Sequence, residues 1–110
     1  MDKYPNERVK AALKVYLKKI NKKFKLQKAI LFGSRARDDY LLDSDVDLIL
    51  VSPDFKQKGF RARMGEVLAD WSEGIDLEAL CYTPDEFDVM KKRIGIVRQA
   101  VKEGKELRFN

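Results

Sequence analysis

Leu31-Phe32-Gly33-Ser34-Arg35-Ala36-Arg37, and then Ser44-Asp45-Val46-Asp47-Leu48, is the segment from which the rest of the chain is best understood. The apolar run that closes Leu26 to Phe32 reads as a strand, and Gly33-Ser34 interrupts it with residues suited to a tight turn. Ala36 to about Leu41 reads as one short helical turn. Asp45 to Val51 sets two carboxylates at the start of a β-branched and leucine-rich run, the pattern of a largely buried strand with a polar entry. Side chains two apart on a strand project from one face with Cα atoms ~6.6 Å apart, so Asp45 and Asp47 can converge on cations between them. Gly33 lets the backbone approach a ligand closely, while the Ser34 hydroxyl and nearby N–H groups can hold phosphate oxygens. Arg35 and Arg37 add cationic donors beside that turn. A phosphate cradle on one strand end and a carboxylate clamp on the next strand together describe phosphoryl or nucleotidyl transfer.

Upstream, Val9, Ala12, Leu13, Tyr16, Leu17 and Ile20 follow steps of three and four, the single-face spacing of a helix on a core, and the opposite face is nearly all lysine. Downstream, Phe60, Met64, Val67, Leu68 and Trp71 form a second core-facing stripe, stopped by Glu73-Gly74. Ile75 to Cys81 reads as a third strand. Thr83-Pro84-Asp85-Glu86 then has the residues of a capping box with proline at the first helical position. Phe87, Met90, Ile94, Val97 and Val101 carry that helix to Gly104, with Gly95 a weak point in its middle, and Leu107 and Phe109 alternate with charges as a short closing strand. The order α-β-turn-β-α-β-α-β, without repeats or a linker, predicts one α/β (α+β) domain over residues 1–110, a small mixed sheet flanked by helices.

Composition narrows the chemistry. Histidine is absent and Cys81 is the only cysteine, so a Cys/His zinc site, an intramolecular disulfide and a histidine base are excluded, and acid-base or metal work falls to carboxylates. Hard oxygen ligands suit Mg²⁺, with Mn²⁺ an alternative. The longest apolar runs, such as Ala29 to Phe32 and Leu48 to Val51, span four residues against the ~20 of a membrane helix, and no apolar segment of secretory type opens the chain. The reading is a cytoplasmic chain without a membrane partner. Residues 1–28 carry ten Lys/Arg and two acids, whereas residues 29–110 carry thirteen and sixteen, so the net charge of +5 is an N-terminal property.

A third carboxylate would complete a two-metal site. Asp76, at the start of the third strand, is the preferred candidate, and Glu78, on the same face ~6.6 Å further along, is the reserve. With eleven aspartates in the chain an isolated Asp-x-Asp carries no information, and the neighbouring residues discriminate. An EF-hand beginning at Asp43 needs Gly and Glu where Leu48 and Asp54 stand; a phosphate-loop NTPase needs Gly-Lys-Ser/Thr; a dinucleotide fold needs further glycines after the first strand.

Gly33-Ser34-Arg35-Ala36-Arg37 followed by Ser44-Asp45-Val46-Asp47-Leu48 resembles the minimal nucleotidyltransferase domain of the DNA polymerase β superfamily, and a Thr-Pro-x-Glu-Phe helix start and a late strand aspartate are similar to its small members. One departure is Asp38, where many members have glycine. The resemblance implies a polymerase β-like fold, with Gly33 and Ser34 on the nucleotide's phosphates and two divalent ions held by Asp45, Asp47 and Asp76. It further implies transfer of a nucleoside monophosphate, AMP from ATP, to a hydroxyl on a partner. In small members that partner is a helical HEPN-type toxin for which the nucleotidyltransferase serves as antitoxin. Homo-oligomerisation stays open. Two other functions remain in view: a non-catalytic module that neutralises its partner by contact, and a nucleic-acid-binding domain using Lys18, Lys19, Lys22, Lys23 and Lys25. The latter is not favoured, because the lysine face of the first helix carries no stacking aromatics interleaved with its lysines.

Overall fold

The computed structural model describes residues 5–37 and 45–109. Its elements are α1 (Asn6–Lys23), β1 (Lys28–Phe32), α2 (Ser34–Arg37), β2 (Val46–Val51), a 3₁₀ turn (Pro53–Gln57), α3 (Phe60–Leu68), β3 (Leu77–Tyr82), α4 (Pro84–Met90), α5 (Ile96–Glu103) and β4 (Lys105–Glu106). The sheet runs in the order β3-β2-β1-β4, with β2 parallel to β3 and β1 antiparallel to both β2 and β4. This is the mixed sheet flanked by helices that the sequence predicts.

Alternation along the strands sends the two faces into separate cores. Leu31, Val46, Leu48, Leu50, Ala79 and Cys81 pack with Val9, Leu13, Leu17 and Ile20 of α1 and Val67 of α3. Ile30, Phe32, Ile49 and Val51 face the other way and are covered by Phe87 of α4 and by Val97 and Ala100 of α5. Burial on both sides explains why β2 reads as a nearly continuous apolar run. Asp47 has the parity of Ile49 and Val51, which puts its carboxylate on the α4/α5 side.

Several expectations are corrected. The short helical turn begins at Ser34 rather than Ala36, and its expected continuation through Asp38 to Leu41 lies outside the described residues. The helix expected to run from Pro84 to Gly104 is two helices. The first stops at Met90, and Gly95, with φ +156° and ψ −169°, a backbone conformation essentially restricted to glycine, precedes the start of the second at Ile96. The break leaves Ile94 92% exposed instead of buried, and Val101 also faces solvent. Phe60, expected in the core, is exposed, and Trp71 lies beyond α3, where its indole N–H donates to the Ile75 carbonyl at 2.7 Å. Gly104 does end α5, but with φ −76°; a Cβ there would collide with the Ala100 and Leu31 carbonyls, so close approach to β1 is what demands glycine. The closing strand is Lys105–Glu106 rather than Leu107 to Phe109.

The capping box forms as expected: Thr83 Oγ1 accepts from the Glu86 N–H at 3.2 Å, and Glu86 Oε1 accepts from the Thr83 N–H at 2.8 Å. Glu86 also receives both Nη atoms of the buried Arg63, at 2.6 and 3.3 Å, while Arg63 donates to the carbonyls of Lys58 and Cys81. One guanidinium thereby ties α3 to β3 and α4. The hydrogen bond from Arg63 holds the Glu86 carboxyl below its ordinary range, so this contribution is present at neutral pH and lost as the pH falls through that range. Arg63→Leu, which orphans the buried Cys81 carbonyl and the partly buried Lys58 carbonyl, is expected to cost on the order of 2–4 kcal/mol in urea denaturation, against about 1 kcal/mol for Glu86→Gln. A loss no greater than that of the exposed exchange Arg61→Leu would show that Arg63 is not the tie.

Candidate active site

Phe32 of β1, Asp47 of β2 and Glu78 of β3 are register partners across three adjacent strands. Cross-strand partners share a face, so the Asp47 and Glu78 side chains emerge side by side on the α4/α5 side. Asp45 lies two residues before Asp47, with the same parity, at the exposed mouth of β2. Asp47 is half-buried, and its carboxyl is raised from 3.8 to about 6 by burial first, then by the negative charges of Glu78 and Asp45.

β1 ends against this carboxylate. Gly33 has φ +76°, and a Cβ on it would lie 2.5 Å from Asp47 Oδ2. Only glycine meets both demands, a left-handed backbone and an open flank for the carboxylate. The Gly33 carbonyl accepts from the N–H groups of Ala36 and Arg37 at 3.1 and 3.3 Å, which folds the chain back as α2. Beside the turn is a cavity of about 240 Å³ lined by Gly33, Arg37 and Asp47, with Ile96, Gln99 and Glu103 of α5 on its far wall. That volume is below the roughly 300–1,000 Å³ of sites for drug-sized ligands and suits part of a nucleotide rather than the whole. A larger hollow of about 490 Å³ surrounds Tyr82 at the other end of β3, but its charged groups, Arg63 and Glu86, already neutralise each other.

The predicted residues therefore separate. Gly33, Arg37, Asp45 and Asp47 come together, and half-buried Ser34 opens α2 beside them. Arg35 turns away: it is 1% exposed, and Nη1 reaches Asn6 Oδ1 at 3.4 Å while Asn6 Nδ2 donates to its carbonyl, joining α2 to α1. Asp76 precedes β3, exposed, and its carbonyl accepts from the Val46 N–H at 2.9 Å. Its parity puts it on the same face as Glu78, but Glu78 is the residue in register with Asp47 and the one whose charge Asp47 feels. Gln99 and Glu103 join the cavity from outside any sequence motif; their i,i+4 spacing on the polar side of α5 is the one local signal.

An all-oxygen donor set with clustered negative charge and a carboxyl pushed up to about 6 fits a hard divalent cation in charge and ligand type. Among the described residues no three acidic side chains stand close enough together to form a complete metal cluster.

Residues 13–107 match the family model of a nucleotidyltransferase domain. The chain belongs to that family. Its fold is similar to the crystal structure of a provisionally assigned nucleotidyltransferase from Sulfolobus solfataricus, with a TM-score of 0.67 and 23% identity over 93% of this chain and 81% of that one. No curated protein matches the chain. Family membership supports nucleotidyl transfer as the general activity, and domains of this kind typically use divalent metals. No helix among the described residues is long and apolar enough to cross a membrane.

Two measurements test this geometry. Because the folded Asp47 carboxyl binds its proton more tightly than the unfolded one, its charge destabilises the fold progressively as the pH rises from about 4 to 6. Asp47→Asn should therefore raise the melting temperature by a few degrees at pH 7.5 and leave it unchanged at pH 3.5; equal shifts at both would trace the effect to packing. Gly33→Ala should cost roughly 1–3 kcal/mol, with less than additive loss when combined with Asp47→Ser, which removes the colliding carboxylate. Strict additivity in this double-mutant cycle would disprove the contact.

Proposed function

We propose that this domain transfers a nucleoside monophosphate, AMP from ATP, to a hydroxyl acceptor on a partner protein, with Asp45, Asp47 and Glu78 holding the divalent ions. The observation that carries the reading is the Asp47 carboxylate against the Gly33 turn, with Asp45 and Glu78 as its charged neighbours. Register with Asp47 supports Glu78 as the third ligand, and Asp76, whose carbonyl accepts from the Val46 N–H just before the same strand, is the alternative. Bound Mg²⁺ or Mn²⁺ would neutralise the triphosphate and acidify the acceptor hydroxyl. Gly33 and Ser34 orient the phosphate tail through backbone N–H groups and a hydroxyl, Arg37 supplies a cationic donor from the same cavity, and Gln99 offers an amide to the nucleoside. The acceptor oxygen bonds to the α-phosphorus as the α–β bridging bond breaks, pyrophosphate leaves, and the hydroxyl proton passes to solvent.

A protein acceptor is supported by the apolar surface beside the cavity. Ile96 lines the cavity and is 56% exposed, and Ile94 and Val101 are also uncovered on the same two-helix layer. A helical partner docked there, of the HEPN toxin type that the sequence resemblance implies, would meet the mouth of the site. The second reading is neutralisation by contact alone, for which the same exposed apolar margin of Ile94, Ile96 and Val101 would serve without the carboxylates.

Incubation with α-labelled ATP, Mg²⁺ and a HEPN-type partner separates the two. Label should appear on the partner, be abolished by a chelator and fall at least 100-fold in Asp45→Asn/Asp47→Asn. Glu78→Gln should reduce transfer more than Asp76→Asn. Absence of label, with neutralisation intact in the double variant, would establish the contact mechanism instead.

A further inference from the structure

On the side of the sheet opposite Asp47, α1 and the segment after β4 enclose a groove of about 420 Å³. Lys10, Lys14 and Lys18 line one wall, and Arg108 joins them from the C-terminal segment. Among the described residues no acidic side chain lines the groove, and no ion pair engages any of the four cations. Three lysines at steps of four on an α-helix stand about 6 Å apart along its axis, comparable to the step between successive phosphates of an extended single strand. Leu107 and Phe109, partly buried against the core, give the groove apolar surface.

We infer that this groove binds single-stranded nucleic acid, with Lys10, Lys14, Lys18 and Arg108 on consecutive phosphates and a base stacked on Phe109. A charged track beside an aromatic platform is the general solution for binding single strands without regard to sequence. The tertiary fold supplies what the lysine-rich helix lacks in sequence, an aromatic residue alongside its cations. It also redistributes the lysines: Lys23 pairs with Asp70 at 2.8 Å and Lys19 lines a separate hollow together with Asp70 and Glu73, so of the predicted set only Lys18 lines the groove.

Fluorescence anisotropy with labelled twelve-nucleotide oligo-dT and oligo-U, without nucleotide or Mg²⁺, tests the groove independently of the proposed transfer. Four phosphate contacts predict a slope of about −2.8 for log K against log salt. Lys10→Gln/Lys14→Gln/Lys18→Gln should bring this to about −0.7, whereas Lys19→Gln/Lys22→Gln/Lys25→Gln, an equal change in net charge, should leave it near −2.8. Phe109→Ala should weaken binding roughly ten-fold without altering the slope. Circular dichroism confirms that each variant is folded. Equal effects of the two lysine triplets, no binding at 50 mM salt, or duplex bound as tightly as single strand would overturn the inference. Equal competition by polyglutamate would assign the groove to an acidic peptide and overturn it as well.

Discussion

The candidate site depends on one steric constraint: the end of β1 must turn away without placing a side chain where the Asp47 carboxylate stands. Gly33 meets it with a positive φ and a bare Cα, and a Cβ there would lie 2.5 Å from Asp47 Oδ2. The antiparallel register that sets Phe32 opposite Asp47 creates the problem, and the turn into α2 resolves it. The turn proposed to hold phosphate and the carboxylate proposed to hold metal are thus two sides of one contact.

That contact works against stability. A half-buried carboxylate beside two like charges opposes folding above pH 6, and the surrounding structure must offset it. β2 does so by being buried on both faces from Leu48 onward, with α1 and α3 on one side and α4 and α5 on the other. The unfavourable charge is also the useful one, because a divalent cation would relieve the repulsion that protons alone relieve in its absence.

The two faces of the sheet divide the molecule chemically. The face under α4 and α5 carries the acids and an uncovered apolar margin around Ile94 and Ile96, whereas the outer side of α1 carries the lysines. Arg35 illustrates how local sequence misleads in such a small domain. It stands next to the Gly33 turn, yet the single helical turn of α2 directs it inward to Asn6, while Arg37, two residues on, lines the cavity.

Local sequence was sufficient wherever short-range geometry governs. Hydrophobic period marked α1 and the three long strands, Thr83 and Glu86 announced their capping box, and the parity of Asp45 and Asp47 put them on one face, because i,i+2, i,i+3 and i,i+4 relations are set by backbone repeat alone. Other features had no local signature. Whether Asp76 or Glu78 stands beside Asp47 is decided by the β2–β3 register, the burial of Arg35 by the position of α1, and the meeting of Phe109 with Lys14 by the return of the C-terminal segment alongside β1. The stripe beyond Met90 has no local signature for a related reason: its spacing continues past the end of α4 and through Gly95, and only packing on the sheet determines which apolar side chains of the second helix are covered.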